Sequence, residues 1–181
     1  FRDEWRIDEL EKLLQSASTE LSRVEGVRRR VNGRAVLEAA ERDLHHVFDE
    51  MARRGDKLLK RQEIPVDALR IVLEGLSLSG SARIKALFLM DEAEEAKACA
   101  RSQIKTLTKM TVDMPADRLA RHIIGTNSPA EAAATTSAQL ALMRENIVGI
   151  APLVDELCRQ DMRPSVYLSS AEQETEQPLM F

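Results

Sequence analysis

The stretch IDELEKLLQSASTELSRVEGVRRRV, residues 7–31, carries Ile7, Leu10, Leu14, Ala17, Leu21, Val24 and Val31 on alternating steps of three and four, with only Arg28 breaking the apolar seam. A helix of about 3.6 residues per turn gathers such positions into one stripe, and that stripe must be buried against another helix. The spacing predicts a first helix over 1–31. It resumes after Asn32-Gly33, where glycine can take the left-handed conformation that ends a helix. Leu37, Ala40, Leu44, Val47, Met51 and Leu58 predict a second helix over 35–62.

Charge supports antiparallel pairing of these two segments. Folding the chain at Gly33 sets Asp3, Glu4, Asp8, Glu9 and Glu11 opposite Arg53, Arg54, Lys57, Lys60 and Arg61. Exposed pairs contribute only about 0–1 kcal/mol each, so they select register while the apolar seam holds the pair. The alternative is one nearly continuous helix over 5–61 in a parallel coiled coil. Gly33 and Gly55 weaken it, each by about 1 kcal/mol in a helix interior.

Further along, Ile64-Pro65 predicts a short helix through Leu73 that ends near Gly75, and residues 77–81 read as a loop with a helix N-cap. A third long helix is expected over 81–112. Its start is apolar nearly all round, from Ile84 to Met90, and its middle is alanine: Ala93, Ala96, Ala98 and Ala100. Small side chains suit close helix packing, or a small-molecule cavity between helices. Met114-Pro115 breaks the chain, and a short helix carrying Leu119, Ile123 and Ile124 ends at Gly125. Ser128-Pro129-Ala130-Glu131 then has the pattern of a capping box. It opens a fourth helix over 128–161, with Leu140, Met143, Ile147, Ile150, Val154 and Leu157 on its seam and a kink expected at 148–152 from Gly149 and Pro152.

The fold class expected is therefore all-α: an elongated up-and-down bundle of four long helices in two antiparallel hairpins, with two short connecting helices. The bundle domain spans 1–162, and 163–181 is an acidic irregular tail containing Glu172, Glu174 and Glu176. The 181 residues suit one domain, and 44% hydrophobic content is ample for its core. Only six aromatic residues are present, as long helices packed by Leu, Ala, Ile, Val and Met require. Starting at Phe1 and not Met suggests an excised domain or a processed chain, so that a targeting segment could have lain upstream.

Several function classes are disfavoured. The net charge of −4 and the scarcity of aromatics argue against nucleic-acid binding. No run approaches the roughly 18–20 apolar residues of a membrane span, so a cytoplasmic setting is expected. Cys99 and Cys158 have no metal-ligand spacing and lie too far apart to bridge if the third and fourth helices pair antiparallel; both read as reduced and mostly buried. Glu41, His45 and Asp49 share one helical face, yet no second Glu-x-x-His element completes a metal site, and His46 and His122 have no matching motif. No phosphate loop, nucleophile elbow or paired-carboxylate motif is present, so no catalytic, cofactor-binding or metal residue is assigned and the balance leans against an enzyme.

One charged patch stands out. Arg28, Arg29, Arg30 and Arg34 surround the first hairpin tip with Arg23, and could meet anionic lipid headgroups or simply favour a helix end. The function expected is a protein-interaction or scaffold domain of a larger protein, with a protein partner or a second copy on its seams. A peripheral anionic-membrane module using the arginine tip, or a small-molecule sensor with a cavity among the alanines, are the alternatives.

Overall fold

Residues 66–89 form a single helix with fifteen of its twenty-four residues buried, and the other helices assemble around it. The computed structural model describes residues 7–27 and 33–149. In chain order the elements are α1 (Ile7–Gly26), α2 (Gly33–Leu59), β1 (Ile64–Pro65), α3 (Val66–Leu89), α4 (Ala93–Asp113), α5 (Ala116–His122), β2 (Ile123–Ile124) and α6 (Pro129–Val148). The fold is all-α, as the periodicity predicts. β1 and β2 are two-residue segments paired in parallel, Ile64 with Ile123 and Pro65 with Ile124. They place the starts of α3 and α6 beside each other.

α1 and α2 bury the expected seams. Ile7, Leu10, Ala17 and Val24 on α1, and all six predicted residues of α2, are below 3% exposed. Each fully buried Leu or Met contributes on the order of 1.5–3 kcal/mol by leaving water. Leu14 and Leu21 are half-buried, and Glu20 takes the inward position instead. The antiparallel register predicted from charge is present in the 2.6 Å ion pair between Glu9 and Arg54. Arg53 and Lys60 instead pair within their own helix, with Glu50 and Asp56. Gly33 does not end a helix but begins α2, with Val27 packed against it.

The region 64–112 departs from the sequence expectation. No loop separates 77 from 81, and the predicted short helix and the start of the predicted third helix are one rod, α3. Its glycines serve close packing. A Cβ at Gly75 would lie 2.6 Å from the Met51 methyl carbon, and one at Gly80 would lie 2.9 Å from Gln103 Oε1. Its serines satisfy themselves within the helix: Ser79 Oγ donates to the Gly75 carbonyl at 2.5 Å and Ser81 Oγ to the Ser77 carbonyl at 2.8 Å. The predicted helix 81–112 is instead broken at Met90-Asp91-Glu92. Asp91 has φ 63°, its N–H donates to Phe88 O, and the Glu92 N–H donates to Leu87 O. That bond pair is the Schellman termination, with aspartate standing where glycine is usual.

α4 then buries Ala96, Ala100, Gln103, Leu107 and Met110 on three-four spacing. Of the alanine tract, Ala96 and Ala100 are buried, Ala93 is half-buried and Ala98 is exposed. The short helix α5 stops at His122, before Ile123 and Ile124, which pair as β2, so Gly125, with φ 85°, turns the chain after a strand and does not end a helix. α6 begins at Pro129 as predicted, but Ser128 makes no side-chain cap bond and Glu131 is exposed, so the capping box is not formed. Residues 1–6, the tip arginines 28–30, the expected kink beyond Gly149, Cys158 and the acidic tail lie outside the described residues.

Candidate functional site

α6 carries two adjacent stripes. Ala133, Thr136, Leu140 and Ile147 face the core, while Ala132, Thr135, Gln139, Leu142 and Asn146, one residue earlier in each turn, line an open groove shared with α3. The opposing wall is Val66, Leu69, Arg70, Leu73 and Ser77 of α3. Two hollows of about 420 and 300 Å³ join at Arg70, Leu73 and Gln139. From Ser128 to Asn146 the groove follows about 27 Å of α6 at the rise of an α-helix. Leu142, 56% exposed, lies near its far end. The groove's floor is Leu, Ala and Met, and its rim is neutral at Thr135, Gln139 and Asn146 and charged at Arg70, Glu74 and Glu131; a groove along two neighbouring helices is the geometry in which an amphipathic helix docks by residues spaced three and four apart.

A second concavity, of about 570 Å³, lies where the end of α2 meets α4 and α5. Leu59, Met110 and Met114 form its floor, Val112 at 69% exposure its lip, and Lys60 and Arg118 its basic rim. Lys105 and Lys109 are exposed on α4 before Val112. The i, i+4 spacing of Arg101, Lys105 and Lys109 is legible in the sequence.

Of the four tip arginines, Arg34 is described. Its guanidinium is committed internally: Nη1 donates to Met90 O at 2.7 Å, Nη2 to Glu92 at 3.0 Å and Nε to Glu38 at 3.1 Å. Arg34 therefore clasps the α3–α4 turn. Arg28, Arg29 and Arg30 fall outside the described residues, as does any surface they form.

The histidine face does not converge. His45 pairs with Asp49 at 2.9 Å, whereas Glu41 turns to Arg83 at 3.0 Å. His122 Nδ1 lies 3.2 Å from the Gln62 carbonyl beside the strand pair. Among the described residues no three His, Cys, Asp or Glu side chains gather as metal ligands. No described helix is long and apolar enough to cross a membrane.

Two buried polar groups escaped the periodicity. Gln103, 1% exposed, donates from Nε2 to the Gly80 carbonyl at 3.1 Å and to Cys99 Sγ at 3.2 Å, joining α4 to α3. Burial raises the Cys99 thiol pKa above its ordinary value, which keeps it protonated and unreactive. Glu20, 4% exposed on α1, meets Arg23 at 2.6 Å and Asp43 of α2. Burial, and then the Asp43 carboxylate, raise its pKa against the pull of Arg23. No protein-family model, curated protein or solved structure matches this chain.

Proposed function

We propose that this chain is a helical protein-interaction domain that receives an amphipathic helix of another polypeptide in the groove between α3 and α6. The observation that carries the reading is the second stripe of α6, which ends in exposed Leu142 beside half-buried Met143 and has no covering helix among the described residues. A solvent-facing helix side ordinarily carries several charges, yet this one has Glu131 at its start and then presents Ala132, Thr135, Gln139, Leu142, Met143 and Asn146. Methionine at such a surface lets it adapt to an incoming side chain.

The test places a photo-cross-linking residue at Gln139, in the groove, and at Lys12, on the exposed side of α1, in cells of the source organism. A discrete adduct from position 139 that is lost with Leu142→Asp is expected. Equal adducts from both positions, or an adduct indifferent to Leu142→Asp, would refute the reading. Light scattering on the purified chain then distinguishes a second copy from a different partner.

A further inference from the structure

We infer that the basin where α2, α4 and α5 meet is a docking site for the chain's own acidic segment, residues 172–181. The inference is independent of the α3–α6 groove. It starts from the double character of the basin. Its floor is soft and apolar, with Leu59, Met110 and Met114, and exposed Val112 stands at the lip. Its rim is basic, with Lys60 and Arg118, and Lys57 of α2 and Lys105 and Lys109 of α4 are exposed on the same two helices, outside the lining. Asp56, which accepts from Lys60 at 3.1 Å, is the acid lining the basin among the described side chains.

The complementary occupant has acid groups followed directly by large apolar ones. A lipid headgroup or a nucleic-acid backbone would use the cations and leave the methionine floor wet. An uncharged peptide would use the floor and gain nothing from the cations around it. Residues 172–181, Glu-Gln-Glu-Thr-Glu-Gln-Pro-Leu-Met-Phe, satisfy both: Glu172, Glu174 and Glu176 carry three negative charges with no cation between 164 and 181, and Pro178-Leu179-Met180-Phe181 follows. Phe181 against Met110 and Met114 is also a favourable sulfur–aromatic pairing.

The chain can reach. Arg144 of α6 lies beside Thr108, six residues before Met114, at 3.5 Å. Gly149 is therefore on the order of 20 Å from the basin at the rise of an α-helix. The residues 150–171 can span roughly 70 Å when extended. Attachment in the same chain gives an effective concentration of about millimolar order, so a contact too weak to be seen between separate molecules would still be mostly formed. The segment then occupies the basin by default, and an outside ligand must displace it.

The experiment uses the full chain carrying Cys99→Ser, Cys158→Ser and Thr175→Cys, with a nitroxide on the new thiol, and reads methyl NMR intensities. Cys158 and Thr175 lie outside the described body; since Cys99 is buried, the methyl spectrum of the unlabelled variant must first match that of the parent. The Val112, Met110 and Met114 methyls are expected to lose about half or more of their intensity at low salt. Recovery is expected in about 0.5 M NaCl and with Glu172, Glu174 and Glu176 changed to Lys. Unbroadened basin methyls would overturn the proposal. So would broadening at Leu142 instead, or broadening that disappears when labelled chain is diluted with unlabelled chain, which marks contact between copies. Basin methyls that respond only to added anionic vesicles or DNA would overturn it as well. Should the Cys99→Ser parent fail to fold, amide exchange of residues 110–118 in the otherwise native chain, with and without the three Glu→Lys changes, decides: faster exchange in the variant supports docking, and identical exchange refutes it.

Discussion

Met51 of α2 lies over Gly75 of α3 so closely that a Cβ on the glycine would be 2.9 Å from the methionine Cγ and 2.6 Å from its methyl carbon. The two helices approach at this point because α3 has no side chain there. Gly75→Ala would gain about 1 kcal/mol of helix propensity and lose about 1–3 kcal/mol by overpacking, so a net destabilisation is expected in denaturant unfolding. Gly26, near the end of α1, has nothing within 4 Å of its Cβ position. Gly26→Ala should stabilise by about 0.5–1 kcal/mol. A stabilising Gly75→Ala would show that the helices do not meet as described.

Arg34→Ala removes the donor to the Met90 carbonyl, which follows the last helical residue of α3 and accepts this bond across fifty-six residues of sequence. With the arginine side chain 58% exposed, a loss of about 1 kcal/mol is expected, and Arg34→Lys should not restore it because lysine lacks the planar fork that serves Glu38, Met90 and Glu92 together. Faster amide exchange confined to residues 88–93 would accompany the loss. An unchanged unfolding midpoint would remove Arg34 from the turn.

Stability should respond to pH in opposite senses at two carboxylates. The Glu20 pKa is raised above the ordinary 4.5 by burial, so its contribution is complete below that value and is lost as pH rises through the raised one. The Glu50 pKa is lowered by its hydrogen bonds and ion pairs to Arg53 and Arg54, so its contribution is present above 4.5 and is lost as pH falls through the lowered value. Glu20→Gln should therefore gain melting temperature relative to the parent at about pH 8 compared with about pH 5, and Glu50→Gln should lose most where the parent's carboxylate is charged. A Glu20→Gln difference independent of pH would mean that Glu20 is solvated.

Burial of Cys99 at 5% exposure predicts slow alkylation in the native state. In a Cys158→Ser chain the remaining thiol should react only as fast as α4 opens, and should speed up with denaturant. Immediate reaction at neutral pH would contradict the packing of Cys99 against Gln103.

Periodicity made α1, α2 and the inward face of α4 legible, because each has one stripe against one or two neighbours. It misjudged α3, where Gly75, Ser77, Ser79, Gly80 and Ser81 read locally as a loop. Gly75 and Gly80 lack side chains where Met51, Phe48 and Gln103 press on them, a tertiary reason that no local signal carries. The α3–α4 turn was hidden for the converse reason: Asp91 adopts the left-handed conformation without a glycine to announce it, inside a segment rich in helix formers. The groove was illegible because apolar residues on two faces of α6 blur its period, and because its other wall belongs to a helix that the sequence divided in two.

The groove, the α3–α4 turn and the inward path of Gln103 all require residues 66–89 to be one unbroken buried helix. Amide hydrogen exchange across Gly75–Ala82 measures this directly. Protection rising to the level of global unfolding, with Ser77, Ser79 and Ser81 as slow as their neighbours, is the predicted result. Rapid exchange of those serines and of Gly80, as in a surface loop, would contradict it.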